Sequence, residues 1–116
     1  MNKKILIVDD EFPDLESMKT ILEKENFEVY IATNGAKALD ALKGNKFDLI
    51  MIDIKMPTLS GYDLLRLMKE KMDTKTKTIF VTIVPKQEVE MNGIDGFVQK
   101  PFSPEKLVKE VKKILG

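Results

Sequence analysis

A few residues in this 116-residue chain carry polar chemistry at telling positions. Asp9 and Asp10 close the apolar run Ile5 to Val8, Asp53 closes Leu49 to Ile52, and Thr82 closes Ile79 to Val81. Lys100 follows a shorter apolar stretch around Phe97 and Val98. Each polar side chain therefore stands where a buried segment leaves the core. Where such ends adjoin, the acids repel, because like charges about 4 Å apart cost roughly 4 kcal/mol at an effective dielectric near 20. Either one acid stays protonated or a cation binds. With neither His nor Cys in the chain, the donors are all oxygen, which favours a hard ion, Mg2+ before Ca2+ or Mn2+. A hydroxyl and an ammonium beside that ion suit a phosphoryl group.

Composition removes several other chemistries. Without Cys there is no disulfide, zinc thiolate or thiol nucleophile, and without His there is no imidazole base or phosphoryl carrier. Basic and acidic residues number 19 each, so the net charge is zero and no direct nucleic-acid binding is expected. Lys3 and Lys4 ahead of Ile5 mimic the start of a signal peptide, but the apolar run is too short and ends in acids. A cytoplasmic protein with no membrane insertion is expected. Plainer roles stand beside the chemical ones. Asp53 can simply start a turn, Asp9 and Asp10 can favour the positive end of a following helix, and Lys100 can be a solvated lysine. Thr82 can be an ordinary strand residue and Phe97 plain core, while Met56 is assigned to packing and the Lys106, Lys109, Lys112, Lys113 stripe to a solvated face.

The elements that must position these residues follow from apolar spacing. Three unbroken runs, Ile5 to Val8, Leu49 to Ile52 and Ile79 to Val81, predict central strands covered on both faces. Phe27, Val29 and Ile31 alternate with Glu28 and Tyr30, which predicts an edge strand, and Phe97-Val98 predicts a short fifth one. Between them, Leu15, Met18 and Leu22 share a helical face that starts near Pro13, and Asn34 caps a short helix that Gly44 can end. Ser60 with Asp63 resembles a capping box, and Ser103-Pro104 opens a last helix carrying Leu107, Val108, Val111, Ile114 and Leu115. Strands alternating with helices predict one α/β domain over residues 1–116, a doubly wound, flavodoxin-like parallel sheet of order 2-1-3-4-5. In that order the topological switch lies between strands 1 and 3, where Asp9, Asp10 and Asp53 emerge.

In their order and spacing, Ile5-Leu6-Ile7-Val8-Asp9-Asp10-Glu11, Asp53-Ile54-Lys55-Met56-Pro57, Gly61, Thr82 and Gly96-Phe97-Val98-Gln99-Lys100-Pro101-Phe102 resemble the CheY-like receiver domain of two-component response regulators, over the whole chain. The resemblance implies that Asp53 is the phosphoacceptor, taking its phosphoryl group from a partner histidine kinase, a His-containing phosphotransfer protein or a small phosphodonor. It implies Mg2+, or Mn2+, held by Asp10, Asp53 and the backbone carbonyl of Lys55, with Asp9 acting through a water. Lys100 would pair with phosphoryl oxygens, Thr82 would donate to one and move, and Phe97 would rotate inward behind it. A cis Lys100-Pro101 peptide is also implied.

Two features depart from the family pattern. Ile83 follows Thr82 where a small residue is usual, and the span from Thr82 to Lys100 is about one helical turn short. The helix between the fourth and fifth strands is therefore expected to be short or replaced by a loop. Lys55 and Val84, two residues beyond Asp53 and Thr82, occupy positions that flank the path of the attacking water in the family, so slow loss of the phosphoryl group, more fitting to a relay, is expected. The chain is expected to be a stand-alone signalling switch with a downstream protein target, or a relay that needs a partner's histidine. A magnesium-dependent phosphatase is the alternative from the enzyme class, but a second acid two residues after Asp53 and a cap insertion are missing. A pseudo-receiver that only binds proteins is the third reading, and the intact acids, Thr82 and Lys100 speak against it.

Overall fold

The computed structural model describes residues 2–72 and 75–116. Its strands are β1 (Lys4–Val8), β2 (Glu28–Ala32), β3 (Leu49–Ile52), β4 (Lys77–Thr82) and β5 (Gly96–Gln99), and its helices are α1 (Phe12–Glu23), α2 (Gly35–Ala41), α3 (Gly61–Lys69) and α4 (Pro104–Leu115). All strand pairs are parallel, in the order β2-β1-β3-β4-β5. This is the expected doubly wound sheet.

Side-chain alternation along each strand divides the core in two. Ile5, Ile7, Leu49, Met51, Ile79, Val81 and Val98 face α1 and α4, meeting Leu15, Met18, Leu22, Leu107 and Val111. Leu6, Val8, Ile50, Ile52 and Phe80 face the other way, toward Ala38 of α2 and Leu64, Leu65 and Met68 of α3. Both faces of β1, β3 and β4 are covered, which is why those strands read as unbroken apolar runs. The edge strand β2 is only partly covered and keeps its polar alternation.

Local signals end most helices as expected. Asn34, Ser60 and Ser103 each accept a backbone amide three residues on, from Lys37, Asp63 and Lys106. The capping box at Ser60 is half formed, because the Asp63 carboxylate pairs with Arg66 instead of returning to the cap. Gly44 does not end α2 directly. That helix stops at Ala41 with Leu42 as its cap, and Gly44 takes a φ of 80° in the turn beyond.

The connection from β4 to β5 contains one 3-10 turn, Lys86–Glu88, in place of a full helix, as the short span predicts. Only Val84, Val89 and Ile94 reach the core from this span, too few for an amphipathic helix. Tertiary hydrogen bonds hold it instead. The Tyr62 hydroxyl accepts the Glu90 amide at 3.0 Å, and the Thr78 hydroxyl donates to the Gly93 carbonyl at 3.2 Å. Tyr62 itself is fixed edge-on against Phe80.

Candidate functional site

The C-terminal ends of β1, β3 and β5 converge on one pocket. The alternation that puts Ile7, Met51 and Val98 toward α1 and α4 carries on past the strand ends to Asp9, Asp53 and Lys100. Lys100 then meets three carboxylates: Asp9 at 2.5 Å, Asp14 at 2.8 Å and Asp53 at 3.4 Å. Asp9 is completely buried, Asp53 nearly so, and Asp10 is exposed at the mouth. The second Asp9 oxygen accepts the Glu11 amide at 2.9 Å, and the second Asp53 oxygen accepts the Lys55 amide at 3.4 Å. Lys55 backbone therefore lies beside the Asp53 carboxylate, while its side chain is exposed.

Asp9, Asp10 and Asp53 each offer an oxygen within 4.8 Å of the others. With Asp14, four carboxylates face one ammonium, a formal excess of three negative charges. Burial pushes the Asp9 carboxyl up to about 6, because Lys100 and the Glu11 amide only partly offset the loss of water. Burial would lower the Lys100 ammonium, but its hydrogen bonds to Asp14 and Asp9 outweigh that and hold it above the usual lysine value. The pocket thus keeps its lysine charged and lacks positive charge. A hard dication with oxygen ligands fits both the charge and the donor set.

Thr82 lies on the other side of the strand ends. Following Phe80 in the alternation, it belongs to the α2 and α3 side, and its fully buried hydroxyl accepts the Val84 amide at 3.3 Å. Its own hydroxyl hydrogen makes no bond to Asp53 among the described contacts. Phe97 is half-buried on the same side, opposite Phe80 in the sheet register, and its amide donates to Glu110 at 3.3 Å. Val84 is half-buried beside Thr82, packed against the α2 and α3 core, while Ile83 is exposed at 59%. The Lys100–Pro101 peptide is cis.

Gly61 brings α3 up against the acid. Its amide donates to the Ile54 carbonyl at 2.8 Å, so the first turn of α3 rests on the backbone that leaves β3. Asp14 was missed in the sequence. It is an ordinary first-turn acid by local pattern, and only the packing of α1 over β1 and β2, with the reach of Lys100 from the end of β5, brings the two together.

Residues 5–112 match the response regulator receiver domain family. The chain belongs to that family. The receiver domain is 32% identical over 117 residues to the transcriptional regulatory protein SrrA of Staphylococcus aureus, an alignment covering 99% of this chain and 48% of SrrA. It spans about half the length of the curated relatives it matches. The crystal structure of a CheY-like receiver domain protein from Methanospirillum hungatei superposes with a TM-score of 0.91 at 35% identity, covering 99% of this chain and 94% of that one. Response regulator TrrA from Thermotoga maritima, solved in complex with Mg2+-BeF, gives a TM-score of 0.82 at 32% identity, covering 97% and 98%. Among the described residues no helix of this receiver domain is long and apolar enough to cross a membrane.

Proposed function

We propose that this receiver domain is a phosphorylation-activated switch whose phosphoacceptor is Asp53, working in the cytoplasm with a histidine kinase or a His-containing phosphotransfer protein. The convergence of Asp9, Asp10 and Asp53 within 4.8 Å, with Lys100 on the Asp53 carboxylate, carries this reading. Mg2+ would be held by Asp10, Asp53 and the Lys55 carbonyl, with Asp9 behind them, and Mn2+ is the nearest substitute. When bound, such an ion neutralises charge on the transferring phosphoryl group and orients it.

The protein's own residues do the rest. An Asp53 oxygen attacks phosphorus, its phosphorus–oxygen bond forms as the donor's phosphorus–nitrogen bond breaks, and the departing imidazole takes a proton from solvent. Both Asp53 oxygens are held only at 3.4 Å, by Lys100 and the Lys55 amide, so one is readily given up to phosphorus. Lys100 follows the charge onto the phosphoryl oxygens. Thr82 has a hydroxyl hydrogen to donate once it turns toward them, and Phe97, on the same side of the sheet, moves into the space behind it. That movement is what a downstream protein would read.

Acetyl phosphate with Mg2+ should add one alkali-labile phosphoryl group, detected by intact-mass spectrometry and mapped to Asp53. An adduct that persists undiminished in Asp53→Asn, or no adduct at all, would overturn the assignment.

A further inference from the structure

Lys100 has three ammonium hydrogens, and each goes to a different carboxylate. Two of these acceptors, Asp9 and Asp53, belong to the acid set able to share a cation; Asp14 does not. The Asp14 contact, at 2.8 Å, is shorter than the Asp53 contact at 3.4 Å. Asp14 projects from the first turn of α1, on the side of the sheet where Lys100 emerges, and its side chain is 43% exposed.

We propose that Asp14 is a positioning residue that draws Lys100 toward α1 and competes with the phosphoryl group on Asp53 for the same ammonium, setting how readily the phosphorylated state forms. The inference rests on Asp53 being the acceptor. A cation shared by Asp9 and Asp53 weakens their hold on Lys100, because their oxygens then face a second positive charge. Asp14 keeps its full hold. For Lys100 to meet a phosphoryl oxygen it must lengthen or leave the Asp14 bond. Since Asp14 is nearly half exposed, water solvates the released carboxylate, and the restraint is a graded bias rather than a lock. An acid in a first helical turn also has a simpler role, stabilising α1 through its positive end. That role changes stability alone, whereas the restraint changes affinity for the phosphoryl group.

The test uses the full chain with Mg2+ and beryllofluoride as the phosphoryl probe, followed by calorimetric titration, together with acyl-phosphate formation from acetyl phosphate. Asp14→Asn keeps the shape and removes the charge. It should bind the probe about fivefold more tightly and form the acyl phosphate correspondingly faster. Asp14→Glu should return both toward wild type. Glu11→Gln removes a neighbouring exposed charge whose carboxylate has no described bond to Lys100, and should leave both within about twofold. An equal gain in Glu11→Gln, or weaker binding in Asp14→Asn, would overturn the restraint. Wild type that takes up probe and phosphoryl while Asp14→Asn matches it would overturn the restraint alone. No uptake by any variant would remove Asp53 as acceptor, and the restraint with it.

Discussion

Gly61 stands so close to Asp53 that a Cβ on the glycine would lie 2.5 Å from the Asp53 carbonyl oxygen and 2.8 Å from the Ile54 Cα. The obstacle is backbone, so it has no rotamer by which to yield. Gly61→Ala is expected to lose about 2–3 kcal/mol in urea unfolding and, in the folded protein, to slow acyl-phosphate formation. Unchanged stability and rate would show that the loop after β3 accommodates the methyl group freely.

Removing Lys100 leaves Asp9 buried without its cationic partner. Lys100→Met should cost about 3 kcal/mol in EDTA at neutral pH, with part of the loss recovered when Mg2+ is added. Melts with and without the metal check this. A variant as stable as wild type in EDTA would mean that the pocket needs no positive charge.

Asp10 is exposed and makes no described bond to Lys100, so its loss touches the metal and little else. Asp10→Ala should abolish most of the Mg2+-induced rise in melting temperature and leave the metal-free melt equal or higher, since one repelling acid is gone. Asp9→Ala should lower the metal-free melt, because Lys100 then loses its shortest bond. The reverse pattern would exchange their roles.

Stability should depend on pH through Asp9. Burial lifts its carboxyl from an ordinary 3.8 to about 6, so between these values the folded metal-free protein holds a proton that the unfolded chain has released. The Asp9 contribution is therefore present in full below pH 3.8 and is lost as pH rises through about 6. The difference in unfolding free energy between wild type and Asp9→Asn, measured in EDTA, should fall as pH rises across that window. A dication held nearby would favour loss of the same proton, so Mg2+ affinity should weaken as pH drops below about 6. A flat difference would mean that Lys100 fully offsets the burial of Asp9.

The Lys55 side chain is exposed next to Asp53, where a long stem can cover the approach of water to a phosphoryl group. Lys55→Asn should speed acyl-phosphate decay by about three- to tenfold at fixed Mg2+. Equal decay rates would leave slow hydrolysis, and the relay role it favours, without support. Val84 is not a clean companion test, since its side chain packs against the α2 and α3 core and a charge there would destabilise the fold.

Much of this protein was legible before folding was considered. Unbroken apolar runs marked β1, β3 and β4, alternation marked β2, and Asn34, Ser60 and Ser103 announced their helices, because strand burial and helix capping are written in residues close together in the chain. The strand ends then pointed to Asp9, Asp10, Asp53, Thr82 and Lys100. What the ends do to one another was decided only in three dimensions. Asp14 meets Lys100 across 86 residues, and Asp9 is buried while its neighbour Asp10 is exposed. Val84 packs half-buried against the core, and Tyr62 fastens a segment that has too few apolar anchors to be a helix. No local pattern encodes these outcomes, because the sharing of one ammonium among three carboxylates depends on how three strands and the first turn of α1 pack together.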